Sequence, residues 1–481
     1  MAEEVWMLQT KKADFKQIGA RFRIDPVTAR IIRNRGIEGE AAIDRYLNGT
    51  LDDLYDPMLL KDMERAVSIL CEAVDTGKKI RIVGDYDIDG VCSTYILLQA
   101  FERLGSDVDF EIPDRIKDGY GINESIIEQA HADGVEVILT CDNGISAFHQ
   151  VELAKKYGMT VVITDHHEVP LDGEKEKIPP ADAVIDPKQA DCPYPFPEIC
   201  GAVVAYKLVQ VLYARRGVPQ MEWLDLLEFA AIATVGDVMK LQDENRILVK
   251  YGLKKMAQTK NLGLRRLAEK NNLDLGAITA YHIGFVIGPC LNAGGRLKTA
   301  KEALALLRAQ SEEEAERLAE ELKELNDTRK DMTEQGTEAA KLQVESWYQK
   351  DKVLVVFLPE CHESLAGIIA GRLREYYQKP AIVLTRGEEA VKGSGRSIDE
   401  YHMFKKLTEV SDLLLKFGGH PLAAGLSLEE KNIDEFRRRL NENAGLTEED
   451  FKAKVWIDVP MPVGYVTERL VRELSCLEPF G

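Results

Sequence analysis

The sequence predicts an α/β protein of two domains joined by a long helix. In the first half, three short β-branched apolar runs, Ile80–Val83, Val135–Leu139 and Val161–Thr164, alternate with helical patterns. Such runs read as buried strands of a parallel sheet. Strand and helix patterns alternate again from 352 to about 445, with strands expected at Val353–Leu358, Ala381–Thr385 and Val391–Ser394. Between these regions, Ala300–Trp347 carries Leu304, Leu307, Ala315, Leu318, Leu322 and Leu325 at spacings of three and four, the stripe of an amphipathic helix. At 481 residues the chain also exceeds what one core usually organises.

The elements follow in order. Residues 1–55 read as a helical lead-in, with apolar positions Phe15, Ile18, Phe22, Ile24, Ala29, Ile32 and Ile37. Residues 56–255 form the larger α/β domain. A helix carrying Met63, Ala66, Val67, Ile69, Leu70 and Ala73 leads into the first strand. Further helices are expected at Ser93–Leu104, Glu124–Ala132, from Gly201 onward and at Asp225–Ala233. Pro- and Asp-rich Ile178–Pro197 reads as loop. Residues 256–350 are a helical connector, with a break expected near Gly336, and residues 351–445 form the smaller α/β domain. In 446–481, strand-like Val455–Val459 and the Leu477–Gly481 turn read as the start of another domain, cut short.

Six acids and two histidines fall in four clusters: Asp85-Tyr86-Asp87-Ile88-Asp89-Gly90, Asp142-Asn143-Gly144, Asp165-His166-His167 and Gly236-Asp237. The first three each follow one of the apolar runs. The acids therefore sit at the C-terminal ends of parallel strands, where open α/β sheets place their ligand crevice. One Asp after a strand is usually a helix cap or a turn residue. Four clusters at the same structural position are hard to assign to caps alone. An EF-hand is excluded, because the twelfth position from Asp85 is Ile96 rather than Glu, and a strand instead of a helix precedes the loop. Converging carboxylates and imidazoles repel one another unless a divalent cation lies between them, so the pattern reads as a metallohydrolase.

Composition narrows the class. Eight cysteines occur without a CxxC pair and read as reduced packing residues of a cytoplasmic protein. The first residues lack the basic and apolar segments of a signal peptide, and no run approaches 18 apolar residues, so no membrane association is expected. The net charge of −19 argues against a simple nucleic-acid binder. Metal would neutralise part of it, and Ser311–Glu324 places much of the rest on a solvated helix face.

These clusters, followed by Asn292-Ala293-Gly294-Gly295-Arg296, Gly393-Ser394-Gly395-Arg396-Ser397 and Gly418-Gly419-His420, resemble the DHH phosphoesterase superfamily. Their order, with Asn34-Arg35-Gly36-Ile37 upstream, is similar to that of the RecJ family of single-strand-specific exonucleases, from about Arg33 to the last residue. The resemblance implies a DHH parallel-sheet domain, a smaller DHHA1-type domain, and a C-terminal nucleic-acid-binding β-barrel of the OB type beginning within 446–481.

It also implies a two-metal hydrolase of single-stranded DNA that works from the 5′ end, releases mononucleotides and serves repair and recombination. Two ions about 3.5–4 Å apart supply an attacking hydroxide and relieve charge on phosphate and leaving oxygen. By resemblance Asp142 is the bridge, Asp87 serves one ion, and Asp89, His166 and Asp237 serve the other; Asp85 is either a ligand or a group that orients one. Mixed Asp/His ligation fits Mn2+, with Mg2+ as a weaker substitute. His166 and His167 should point to opposite sides of an extended segment, leaving His167 to stabilise the phosphorus centre while Asp165 fixes a turn or a tautomer. Arg115, Asn292, Arg296, Ser394, Arg396 and His420 are expected to hold substrate phosphate, with Arg296 grouped with the second domain. His362 occupies another family position, although the Gly expected two residues later is Ser364.

Kinship suggests single-strand-binding protein and a RecQ-type helicase as partners. Two other readings stand beside this one: a short-oligonucleotide or cyclic-dinucleotide phosphodiesterase of the same superfamily, and an inactive replication scaffold. The lead-in and suspected third domain disfavour the first. The retained ligands disfavour the second.

Overall fold

The computed structural model describes residues 4–480, so Met1–Glu3 and Gly481 lie outside the described residues. The chain divides into two compact units, residues 12–326 with 463–481 and residues 1–11 with 327–462.

The first unit is built on a five-stranded sheet in the order Val108–Glu111, Ile80–Val83, Val137–Cys141, Thr160–Thr164, Ala183–Ile185, with every pair parallel. Ile80–Val83 and Val137–Cys141 are buried along their whole length, which is why their sequence is apolar without alternation. Helices cover both faces. Met63–Thr76, Ile88–Arg103 and Gly201–Arg216 pack with one side of the sheet in the largest core, and Glu124–Ala132 and Phe148–Lys156 with the other. Strand order reverses beside Ile80–Val83, so the crevice of a doubly wound sheet opens at its C-terminal end.

Ala183–Ile185 lies within the segment expected to be loop. Three apolar residues among prolines and acids are too short a run to register as a strand, but pairing with Thr160–Thr164 and complete burial make them one. The lead-in forms three helices, Phe15–Phe22, Pro26–Asn34 and Glu40–Asn48.

Residues 446–480, expected to begin a barrel, hold one strand, Ala453–Ile457, and the short helix Glu468–Leu474. Ala453–Ile457 pairs in parallel with Glu4–Leu8, a strand the sequence reading missed. Residues 463–480 join the first unit. Glu473 accepts hydrogen bonds from Asp25 N–H at 2.5 Å and from Thr28 Oγ1 at 2.6 Å. Arg246 is 2% exposed and donates to the carbonyls of Tyr46, Cys476, Leu477, Glu478 and Pro479, with its guanidinium 3.8 Å from the Tyr46 ring centroid. A buried cation satisfied this fully holds the segment in place.

The connector also differs from expectation. It breaks between Lys301–Arg308 and Glu312–Gln343, and Gly336 lies inside the second helix. A Cβ at Gly336 would lie 2.5 Å from Ile369 Cδ1, so this glycine serves close packing and not a kink. The second unit holds a mixed five-stranded sheet in the order Leu414–Gly419, Ala423–Leu428, Val391–Arg396, Ala381–Arg386, Leu354–Phe357, in which only the last pair is parallel. Helix Ala366–Tyr377 packs with one face and Ile433–Glu442 with the other.

Candidate metal centre and phosphate-binding residues

Register brings the acids together. Cys141 pairs with Thr164, and Thr164 with Ile185, so the next residues Asp142, Asp165 and Asp186 leave the sheet side by side. Asp142 adopts φ 61°, a left-handed conformation that costs a non-glycine residue about 1–2 kcal/mol and turns its carboxylate into the crevice. Asn143 holds this turn: its Nδ2 donates to Val83 O at 3.0 Å and Cys141 O at 2.9 Å, and its Oδ1 accepts from Ile122 N–H at 3.2 Å.

The first loop supplies three more acids. Asp87 caps helix Ile88–Arg103 by accepting from Asp89 N–H at 3.0 Å and Gly90 N–H at 3.1 Å, so it is both helix cap and candidate ligand. Both oxygens of Asp89 accept at 2.7 Å from Gly201 N–H and Ala202 N–H, the first amides of helix Gly201–Arg216. Asp237 follows helix Leu227–Gly236 directly.

The side chains form two ligand sets joined by a third group of Asp142, His166 and His167. Oxygens of Asp85, Asp87 and Asp142 all lie within 4.8 Å of one another, as do ligand atoms of Asp89, His166 and Asp237. His166 Nε2 lies 3.1 Å from Asp142, 3.4 Å from Asp89 and 3.9 Å from Asp237. Asp142 therefore touches both sets. Burial, and after it the neighbouring carboxylates, pushes Asp85 and Asp237 up to about 8 and raises Asp87 and Asp142. Burial lowers His166, keeping the ring neutral and its lone pair available. Asp85 Oδ2, Asp142 Oδ1 and His166 Nδ1 are buried without hydrogen bonds. Crowded anions and unsatisfied acceptors of this kind fit divalent cations, whose charge reverses the repulsion. The residues present suit the metal.

His167 stands beside this cluster. Its Nδ1 lies 2.8 Å from Asp165 Oδ1 and 3.0 Å from the Tyr120 hydroxyl, which donates to Asp142 O at 2.7 Å. Burial pulls the imidazole down, but the Asp165 hydrogen bond and charge outweigh it and raise His167 to about 9. Burial opposes ionisation of Asp165, yet its bond to His167 holds it below the usual carboxylate range. Asp165 also accepts from Ile145 N–H at 2.9 Å and His166 N–H at 2.8 Å. The two imidazoles lie side by side, 4.5 Å between centroids, rather than on opposite sides, because the backbone turns at His167. Tyr120 was missed in the sequence, where Arg115, five residues upstream, was the residue singled out. Gly201 was missed because its role is to let a helix approach Asp142.

Arg115 and Arg296 line one cavity with Tyr86, Lys298 and Thr299. The Arg115 guanidinium lies 4.0 Å from the Tyr86 ring centroid, and its Nε has no hydrogen-bond partner. Arg296 belongs to helix Gly288–Leu297 of the first unit, not to the second domain as expected. Gly295 brings this helix against the Tyr86 carbonyl, leaving no room for a side chain. Asn292 is on the same helix, half-buried, with Oδ1 unbonded.

In the second unit, Arg396 Nη1 donates to Ser394 Oγ at 3.2 Å and Gly395 O at 2.8 Å. A Cβ at Gly367, in the first turn of helix Ala366–Tyr377, would lie 2.8 Å from both Arg396 Nη2 and Ser394 Oγ. Arginine, hydroxyl and helix N-terminus thus converge, a set of donors whose chemistry suits an anion. His362 precedes this helix and meets Ser364 Oγ at 2.8 Å. Register sets Gly418, Gly425 and Ser394 in one row, so exposed His420 emerges at the same end of the sheet, two strands from Arg396.

Comparison with known proteins gives a consistent picture. Residues 79–234 match the DHH family N-terminal domain, and residues 350–445 match the DHHA1 domain. The chain is 37% identical over 481 residues to the single-stranded-DNA-specific exonuclease RecJ of Bacillus subtilis, covering 99% of this chain and 60% of that protein. With its Haemophilus influenzae counterpart identity is 35% over 462 residues, covering 92% and 79%. The crystal structure of RecJ from Thermus thermophilus in complex with Mn2+ superposes with a TM-score of 0.85 at 30% identity, covering 99% of this chain and 68% of that one. The Mg2+ complex of the same protein gives 0.77 at 29% identity, covering 99% and 66%. Among the described residues no helix is long and apolar enough to cross a membrane.

Proposed function

Because this chain belongs to the RecJ family of single-stranded-DNA-specific exonucleases, we propose that it is a metal-dependent hydrolase that degrades single-stranded DNA from the 5′ end to mononucleotides. One observation carries the reading: Asp142 stands with Asp85 and Asp87 and 3.1 Å from His166 of the other ligand set, a crowding of carboxylates that divalent cations would relieve.

Asp85, Asp87 and Asp142 would hold one ion, and Asp89, His166, Asp237 and Asp142 the other, with Mn2+ preferred and Mg2+ as substitute. When bound, the ions supply Lewis-acid activation of water and charge relief at the phosphate. The chain's residues do the rest. Asp165 and Tyr120 fix the His167 ring. Held by Asp165 and Tyr120, His167 would stabilise charge developing on the phosphate and its leaving oxygen. Asp89, tied to the amides of Gly201 and Ala202, stays in register with Asp142. Arg115, Asn292 and Arg296 bind phosphate beside the metal loop, and Ser394, Arg396, His362 and His420 form a second phosphate-binding group.

The chain spans 60% of the length of the Bacillus relative. Single-strand-binding protein and a RecQ-type helicase are proposed partners, and the cytoplasm the proposed compartment, from kinship. The test is digestion of 5′-labelled and 3′-labelled single strands with manganese beside a duplex control. Release of labelled mononucleotide from the 5′ end first, with the duplex spared, is expected. Release from the 3′ end first, or equal attack on duplex, overturns the proposal.

A further inference from the structure

Helix Gly288–Leu297, which carries Asn292 and Arg296, is preceded by a stretch that the phosphate chemistry does not use. Ala280–His282 is helical and Ile283–Ile287 is a π-helix, a local widening frequent at functional sites. Its inner face is aliphatic: Ala280, Ile283 and Ile287 are buried. Its outer face is aromatic. Tyr281 and Phe285 are 63% and 67% exposed, and their rings stack with centroids 4.8 Å apart at 29°. An exposed, stacked ring pair leaves a flat π-face turned to water.

The pair is joined to the metal centre by direct packing. A Cβ at Gly284, between the two rings in sequence, would lie 3.7 Å from Val235 Cγ1, and Val235 is two residues before Asp237. A Cβ at Gly288 would lie 3.3 Å from Ile88 Cδ1, and Ile88 separates Asp87 from Asp89. Gly236 packs on the same Ile88, where a Cβ would lie 2.6 Å from Cγ2. Phe285 follows Gly284 and lies three residues before Gly288, the two positions packed on Val235 and Ile88, and Tyr281 lies three residues before Gly284.

Charge indicates what covers the rings. A chain of net charge −19 offers little general attraction for a polyanion, so a share of the hold on a single strand must come from base stacking. Exposed rings on a segment packed against Val235 and Ile88, beside the ligands Asp237, Asp87 and Asp89, suit that task. We propose that Tyr281 and Phe285 form a stacking platform for bases of the single strand beside the metal centre. This rests on the exonuclease reading and adds to it the residues that hold the bases rather than the phosphates.

The test uses the full chain with manganese. It compares ordinary single strands with strands of the same length whose bases have been removed from the segment beyond the scissile nucleotide. Wild type should prefer the ordinary strand. Tyr281→Ala/Phe285→Ala should raise KM for that strand on the order of tenfold or more and lose most of the preference over the abasic strand. Phe285→Trp should keep the wild-type KM, with its indole fluorescence quenched on addition of strand. Trp347→Ala, at an aromatic residue 70% exposed elsewhere, should change neither quantity. A double variant that discriminates against the abasic strand as wild type does overturns the platform while leaving the exonuclease reading intact. So does one whose oligomeric state changes while strand affinity is unaltered, which would make the rings a contact between copies of this chain. A wild type that cleaves no single strand removes the exonuclease reading and the platform with it.

Discussion

Gly201→Ala concentrates the reasoning about the metal centre in one methyl group. A Cβ at Gly201 would lie 2.7 Å from Asp142 Cβ and 2.9 Å from Asp142 Cα and Oδ1, where ordinary contact begins at 3.4 Å. Helix or ligand must retreat by about 0.7 Å (3.4 − 2.7). The Gly201 and Ala202 amides also hold both oxygens of Asp89, so the same retreat moves a second ligand. Overpacking costs roughly 1–3 kcal/mol, and alanine returns up to about 1 kcal/mol through helix propensity, so the fold should survive. Activity should not, because a displacement approaching 1 Å costs about 10²-fold in rate. Mononucleotide release at saturating manganese, manganese affinity by calorimetry and thermal unfolding measure the three quantities. Wild-type turnover and manganese affinity in a folded Gly201→Ala would refute the claim that this glycine sets the spacing of Asp89 and Asp142.

Other outcomes follow from the same geometry. Asp142→Ala should abolish hydrolysis with the fold retained, since it removes the carboxylate that joins the two ligand sets; wild-type turnover in manganese would end the two-site assignment. Arg296→Ala should weaken binding of 5′-phosphorylated strands by about 1.5–3 kcal/mol, roughly 10- to 150-fold, with manganese affinity unchanged; equal affinity in a binding titration would take Arg296 out of the phosphate site. Glu228, away from the metal, is 3% exposed and raised by burial from 4.5 to about 7, although Thr259 Oγ1 donates to it at 2.7 Å. Its folded form holds a proton that the unfolded chain releases, so stability falls as pH rises from about 4.5 to about 7, by up to about 3 kcal/mol (2.5 × 1.36). Glu228→Gln should remove that slope and stabilise the protein at about pH 8 but not at about pH 4; equal stabilisation at both, by denaturant unfolding, counts against it.

Sequence alone determined the three central strands of the larger sheet's five and the acids beyond them, because a strand buried on both faces is continuously apolar and the crevice lies at its end; the edge strands Val108–Glu111 and Ala183–Ile185 escaped it. Ile80–Val83 with Asp85–Asp89, and Val161–Thr164 with Asp165–His167, are legible for that reason. So were the glycine-flanked arginines, since close backbone approach excludes other residues. Tertiary structure decided what depends on partners distant in the chain. Tyr120 reaches His167 only through a loop fold. Gly201 meets Asp142 only after a helix docks. Ala183–Ile185 is a strand only because Thr160–Thr164 offers an edge. The placement of residues 476–479 depends on Arg246, whose donors satisfy carbonyls 200 or more positions away. Local pattern records burial and backbone freedom; it carries no record of which two surfaces meet.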